Sequence, residues 1–191
     1  MGKRYDEITP ELQAFIERQP MYFVATAPAD GHVNLSPKGE PSTVAVLGPD
    51  KVAYADFFGS GIETISHIRD NGRVTLMWCA FEGDPNIVRV YGTGSFVESD
   101  DGGFDELLAQ FDLADDTVAS VRAIITVDVE FATDSCGYVV PEMTQTARRD
   151  KLFTTADKLI EVNGETAIRQ YTDRKNATSI DGLPGLPSAQ S

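Results

Sequence analysis

With 191 residues, 41% of them apolar and 24% charged, the chain has the make-up of one globular domain, which excludes wholesale disorder. Lys and Arg number 16 against 30 Asp and Glu, and the resulting net charge of -14 opposes any polyanionic partner. Neither nucleic acid nor an anionic membrane surface is therefore expected.

The longest nearly apolar run, VTLMWCAF at 74–81, is far below the roughly 20 residues that span a bilayer. The opening MGKRYDEITPEL has no apolar leader segment. Cys79 and Cys136 lie far apart with no CxxC pair, and the only histidines are His32 and His67. That usage predicts a reduced, cytoplasmic compartment and no metal site built on cysteine or histidine.

In chain order, Thr9-Pro10 predicts a helix start, with Thr9 as cap and Leu12, Phe15 and Ile16 as the buried face. From Met21 the period changes to two, which predicts a strand at 21–27, a PADG turn and a second strand at 32–39. In that second strand Val33 and Leu35 share one face, and His32, Asn34, Ser36 and Lys38 the other. Further strands are predicted at 42–47, 51–57, 73–81, 86–98 and 121–131. In the last of these Val121, Ala123, Ile125, Val127, Val129 and Phe131 fall on one face.

A helix after Gly59-Ser60-Gly61 runs to Asp70 with Ile62, Ile65 and Ile68 inward, and another carries Phe104, Leu107, Leu108 and Phe111. Beyond CGYVVPEM at 136–143 the pattern is helical at about 145–162 and 164–173. The end, NATSIDGLPGLPSAQS, reads as irregular. Seven strands joined mostly by short turns predict a mainly β (α+β) fold, an antiparallel sheet closed into a barrel with flanking helices. Residues 1–143 are expected to form the barrel, and 144–191 a C-terminal helical extension and tail of the same domain.

Two segments carry possible chemistry. The strand–GSG–helix junction within 52–72 offers free backbone N–H groups and the positive end of a helix dipole to a phosphate, with Ser60 and Thr64 adding hydroxyls. The competing reading is a tight turn made by Gly59 and Gly61 and capped by Ser60. A dinucleotide fingerprint is incomplete, because Thr64 stands where its last glycine would be.

The row Asn34, Ser36 and Lys38 is either a solvated sheet face or one wall of a cavity shared with the 59–64 turn. Arg89, Tyr91 and Arg122 pose the same question. Trp78 and Cys79 are most simply core. There is no GxSxG elbow and neither histidine has an evident nucleophile or carboxylate partner, so no triad is expected. The acidic run from Glu98 to Asp116 lacks EF-hand spacing and reads as a solvated face.

The order of these pieces is that of a known family. An N-terminal helix, FVATAPADGHVNLSPKG, then VAYADFFGSGIETISHIRDNGRVTLMWCAFEG and VRVYGTGSF together resemble the pyridoxamine 5'-phosphate oxidase-like family, the FMN-binding split β-barrels. The likeness covers about residues 10–135, and the SIDGLPGL tail is similar to that of one bacterial branch. The resemblance implies a six-stranded Greek-key split barrel and a homodimer with two FMN molecules at its interface. It places the flavin phosphate at the turn Ser60–Thr64 and the ring against 33–39, approached by the partner subunit.

The cofactor-binding candidates are accordingly Asn34, Ser36, Pro37, Lys38, Gly39, Phe57, Ser60, Gly61, Glu63 and Thr64, with Trp78 and Cys79 completing the set. This chain has Ile62 and Thr64 where many relatives carry basic residues, and its tail lacks the arginine-rich motif of true pyridoxamine-phosphate oxidases. Vitamin B6 oxidation is therefore not expected. The function implied is an FMN-dependent oxidoreductase acting on a small-molecule substrate, with no catalytic acid or base assigned. The rivals are a module that holds FMN, F420 or haem without turnover, and a cofactor-free interaction barrel.

Overall fold

A computed structural model describes residues 2–164 and 166–186. A short strand, β1 (Arg4–Tyr5), precedes the first helix, α1 (Pro10–Glu17). The Thr9 hydroxyl caps α1 by accepting the Leu12 N–H at 3.4 Å, and Leu12, Phe15 and Ile16 are buried as the spacing predicts. The strands β2 (Tyr22–Thr26), β3 (Asn34–Lys38), β4 (Val44–Gly48) and β5 (Lys51–Phe57) follow. Next come α2 (Glu63–Asn71), β6 (Arg73–Cys79) and β7 (Ile87–Glu98). Two short helices, α3 (Phe104–Leu108) and α4 (Asp115–Val118), lead to the long β8 (Val121–Ser135).

Among the described residues eight strands form one antiparallel sheet in the order β3-β2-β6-β7-β8-β5-β4, with β1 also on β8. The consecutive antiparallel strands β6, β7 and β8, with β5 beside β8, make a Greek key. β1 is the strand that periodicity missed, since two residues are too few to show alternation.

Tyr22, Tyr54 and Trp78 sit together in the main core, with Val24, Leu76 and Ile125 around them. A second cluster joins Ala53, Ala55 and Ile124 to Phe104 of α3.

β8 breaks the regular alternation twice. The pairing with β5 jumps from Asp56↔Ala123 to Phe57↔Val121, and the pairing with β7 from Tyr91↔Phe131 to Gly92↔Val129. Arg122 and Glu130 are therefore the extra residues of two β-bulges. Each bulge reverses the phase of the strand. Val121 packs in the second cluster, and Ala132 takes the buried place expected for Phe131, which stacks outside on Tyr91. The single continuous face predicted for 121–131 is thus corrected to three segments.

The C-terminal region differs in its bounds from the pattern. The helix predicted at 145–162 starts only at Lys151, as α5 (Lys151–Asn163), and 144–150 are irregular. The second is α6 (Ala167–Lys175). Both pack on Phe58 through Ala156 and Ile168. Residues 176–186 have no regular structure beyond one isolated bridge, Thr178↔Pro184, but they are docked rather than loose. Residues 187–191 of the predicted tail lie outside the described residues.

Candidate functional site

Asp56, on the last turn of alternation in β5, is only 1% exposed and lies between two cations. Its Oδ1 accepts from Lys38 Nζ at 2.8 Å and its Oδ2 from Arg122 Nε at 2.9 Å. Burial pushes its carboxyl up, but the Arg122 guanidinium and then the Lys38 ammonium outweigh burial and hold it below the usual carboxylate range. The bulge at Arg122 aims this side chain inward, where it also donates to Gly59 O at 3.2 Å, Gly61 O at 2.6 Å and Asn176 Oδ1 at 2.9 Å.

These bonds replace the local account of the GSG turn. Neither Gly59 nor Gly61 has a positive φ, and Ser60 is exposed and caps nothing. The N-cap residue of α2 is Ile62, whose N–H donates to Glu63 Oε2 at 3.0 Å. The turn's carbonyls point to Arg122, and the first N–H groups of α2 have no acceptor within the helix. At its other end α2 stops on Gly72, whose φ of 73° suits a residue without a Cβ.

β3 supplies the opposite wall. Asn34 Nδ2 donates to Thr64 Oγ1 at 3.1 Å, and Ser36 Oγ donates to Asn34 Oδ1 at 3.2 Å. The polar row and the turn therefore border one cleft of about 290 Å³. Asn34, Ser36, Pro37, Lys38 and Gly39 line it from one side, and Phe57, Gly61, Glu63 and Thr64 from the other. Asp56, Phe58, Gly59, Arg122 and Leu152 complete the lining.

The remaining candidates are elsewhere. Ser60 sits outside the cleft on the turn, and Trp78 lies wholly within the core, its ring centroid 5.7 Å from that of Tyr22. Cys79 ends β6 as a buried residue whose thiol is pushed up by burial. Asp56 and Asn176 are the residues that sequence reasoning missed. A carboxylate inside the apolar run VAYADF was the available signal for Asp56; Asn176 had none.

A second cavity of about 670 Å³ adjoins the cleft and shares Pro37, Lys38, Gly39, Phe57 and Leu152 with it. Its other walls are largely apolar, with Phe81, Leu113, Met143 and Phe153. Arg148 at its rim lies within 3.0–3.5 Å of carboxylates of Asp150, Glu40 and Asp116, although its N–H bonds do not point at those oxygens. Its charge is thereby offset within the chain.

The family model of pyridoxamine 5'-phosphate oxidase matches residues 8–136. The chain belongs to that family. It is 39% identical to the pyridoxamine 5'-phosphate oxidase family protein ustO of Aspergillus flavus, over 97% of this chain and 78% of that one. Among solved structures, HupZ of Group A Streptococcus aligns with a TM-score of 0.52 at 22% identity, covering 67% of this chain and 99% of its own. A Lactobacillus delbrueckii protein, provisionally named a pyridoxamine 5'-phosphate oxidase, aligns with a TM-score of 0.50 at 22% identity, covering 66% of this chain and 93% of its own. The fold is the antiparallel split β-barrel of this family. The family match ends at residue 136, so α5, α6 and the docked tail lie beyond it. No helix of the described residues is long and apolar enough to cross a membrane, and none of their His, Cys, Asp and Glu side chains form a group that could hold a metal.

Proposed function

We propose that this protein is a flavoprotein that binds FMN in the cleft and acts as an oxidoreductase on a small molecule held in the adjoining apolar cavity. One observation carries the reading: the polar row of β3 meets the N-terminal end of α2 in one cleft, in a chain of this family. The polar end fits a phosphate, with the N–H groups of the first turn of α2, the Thr64 hydroxyl and the Lys38 ammonium as donors. Glu63 opposes an anion there, so its carboxylate must leave the Ile62 N–H when the phosphate enters. The apolar side of Pro37, Gly39 and Phe57 fits a flat ring that leads into the larger cavity, whose volume lies in the range of about 300–1000 Å³ usual for small-molecule sites. When bound, FMN supplies the electron-transfer chemistry. The chain's own residues bind and orient it and hold a cation close by.

The active unit in this reading is a homodimer. Across the outer face of the sheet, Leu35, Ala25, Thr75, Tyr91 and Phe131 stand in register, beside Pro37, Phe23 and Met77. A second copy on this face would cover those side chains and adjoin Pro37 and Gly39 at the cleft. The barrel (1–143) and the extension (144–191) act as one domain, in support of which α5 and α6 pack on Phe58. Two unpaired cysteines suit the reducing cytoplasm. Flavin binding without turnover is the second reading, favoured because Lys38, Asp56 and Arg122 are bound to one another rather than free as acid or base.

Titration of apo protein with FMN, followed by flavin fluorescence, tests the cofactor. Quenching at micromolar protein is expected, with weaker binding of FAD, whose adenylate must find room beyond the turn. No change with FMN refutes the reading. Oxidation of a reduced nicotinamide by the FMN-loaded protein separates enzyme from binding module.

A further inference from the structure

The C-terminal tail is the one sequence motif that the flavin reading leaves without a role. It folds back on itself: Gly185 N–H donates to Ala177 O at 2.9 Å, Leu186 N–H to Asn176 O at 2.7 Å, and Ser179 N–H to Leu183 O at 2.9 Å. Leu186 is 1% exposed and joins the main core. The tip is fastened separately, as Asp181 accepts the His32 N–H at 2.8 Å and lies 2.7 Å from His32 Nδ1.

Both arms of this fold-back bear on the turn before α2. Asn176, fully buried, donates from Nδ2 to Gly59 O at 2.8 Å and accepts from Arg122 at 2.9 Å. Gly185 lies against Ile62, the N-cap residue. A Cβ there would stand 2.7 Å from Ile62 Cγ1 and 2.0 Å from Asn176 O, so this close approach requires glycine.

The turn has little of its own to hold it. Ile62 offers no side-chain cap, and a Cβ on Gly59 would meet nothing within 4 Å. Its shape comes from Arg122 and Asn176. Arg122 in turn shares Asp56 with Lys38 of the cleft.

We infer that the hairpin 176–186 is a clamp that sets the turn 59–62, so that docking of the tail and binding of a phosphate-bearing ligand in the cleft are coupled. The ligand's identity rests on the flavin reading; the clamp does not. Asn176 and Gly185 do not line the cleft and are positioning residues. Coupling is reciprocal: a ligand that prefers the formed turn strengthens tail docking by the factor by which docking strengthens the ligand.

The test uses the full chain and three readouts: tryptic cleavage after Lys175 for tail release, amide hydrogen exchange at 59–66 for the turn, and flavin fluorescence for FMN. In apo protein, Asn176→Ala and Gly185→Ala are expected to speed exchange at 59–66 by about tenfold or more while β6 and β7 stay unchanged, and to weaken FMN by a similar factor. Saturating FMN should slow cleavage of the wild type. Asp181→Asn, which loosens only the tip, should move all three readouts the same way by a smaller factor. Asn176→Ala, a simple truncation, carries the comparison if Gly185→Ala does not fold. Variants that release the tail yet keep exchange at 59–66 and FMN affinity within about twofold of wild type overturn the clamp. If the wild type does not bind FMN, the flavin reading falls, and exchange at 59–66 alone upholds or overturns the clamp.

Discussion

Asp56 is the residue at which the charges of the cleft meet, and its removal has a different consequence from removal of either cation. Asp56→Asn leaves Lys38 and Arg122 facing each other without a counter-charge, and should lower stability by about 3–5 kcal/mol, read from the denaturant midpoint. The depressed carboxyl contributes stability above its unfolded pKa of about 4 and loses that contribution as pH falls through its lower folded value. Acid unfolding should therefore be shallower in Asp56→Asn than in wild type. Lys38→Ala leaves Asp56 paired with Arg122 and should fold, but it removes a charge-assisted phosphate contact of roughly 1.5–3 kcal/mol, about 10- to 150-fold in FMN affinity. Thr64→Ala should lose less, roughly 0.5–1.5 kcal/mol. Unchanged affinity in Lys38→Ala together with a loss in Thr64→Ala, read by fluorescence titration, would leave the helix end as the phosphate holder. At the tail tip, the side-chain hydrogen bond that Asp181 accepts from His32 raises the His32 pKa. A raised histidine contributes below its unfolded pKa of about 6.5 and loses its contribution as pH rises through the folded value. Asp181 also faces His67, which burial holds low and neutral in that range. Tryptic release of the tail should speed up from neutral to alkaline pH in wild type, relative to a His32→Ala control that corrects for the protease.

At the scale of elements, β3 shows why alternation identifies a strand without saying which face is inside. Its period of two is plain, yet Val33 and Leu35 are 75% and 61% exposed while Asn34, Ser36 and Lys38 turn toward the cleft. The apolar side of this edge strand continues the outer face formed by Phe23, Met77 and Tyr91. Leu35→Glu should leave monomer stability unchanged, because the side chain is already in water, and weaken dimerisation by roughly 2 kcal/mol, about 30-fold. Light scattering that finds wild type at 20.8 kDa across working concentrations would refute the dimer outright. The helices divide in the same way. α1 carries its own cap and phase, so its start was legible; α2 has no local cap, and its start depends on Glu63 and on a turn held by β8 and the tail.

Over the whole molecule, the chain's own pattern determined the class of fold, nearly all the strands, and the two segments that form the cleft. Those features rest on local causes: side-chain alternation, a Thr-Pro helix start, and a glycine turn between strand and helix. The rest depended on contacts between residues far apart in sequence. The bulges at Arg122 and Glu130 are invisible to a count of two, because each is defined by what the neighbouring strand does. Trp78 belongs to the core rather than the cleft because β6 lies between β2 and β7, with both neighbours packed around it. The tail reads as irregular because its hydrogen bonds follow no repeat, yet Asn176 reaches Gly59 across 117 positions, a separation that only the tertiary fold brings together. Pattern reports each residue's preference for burial or exposure; the tertiary fold decides which distant partner satisfies it.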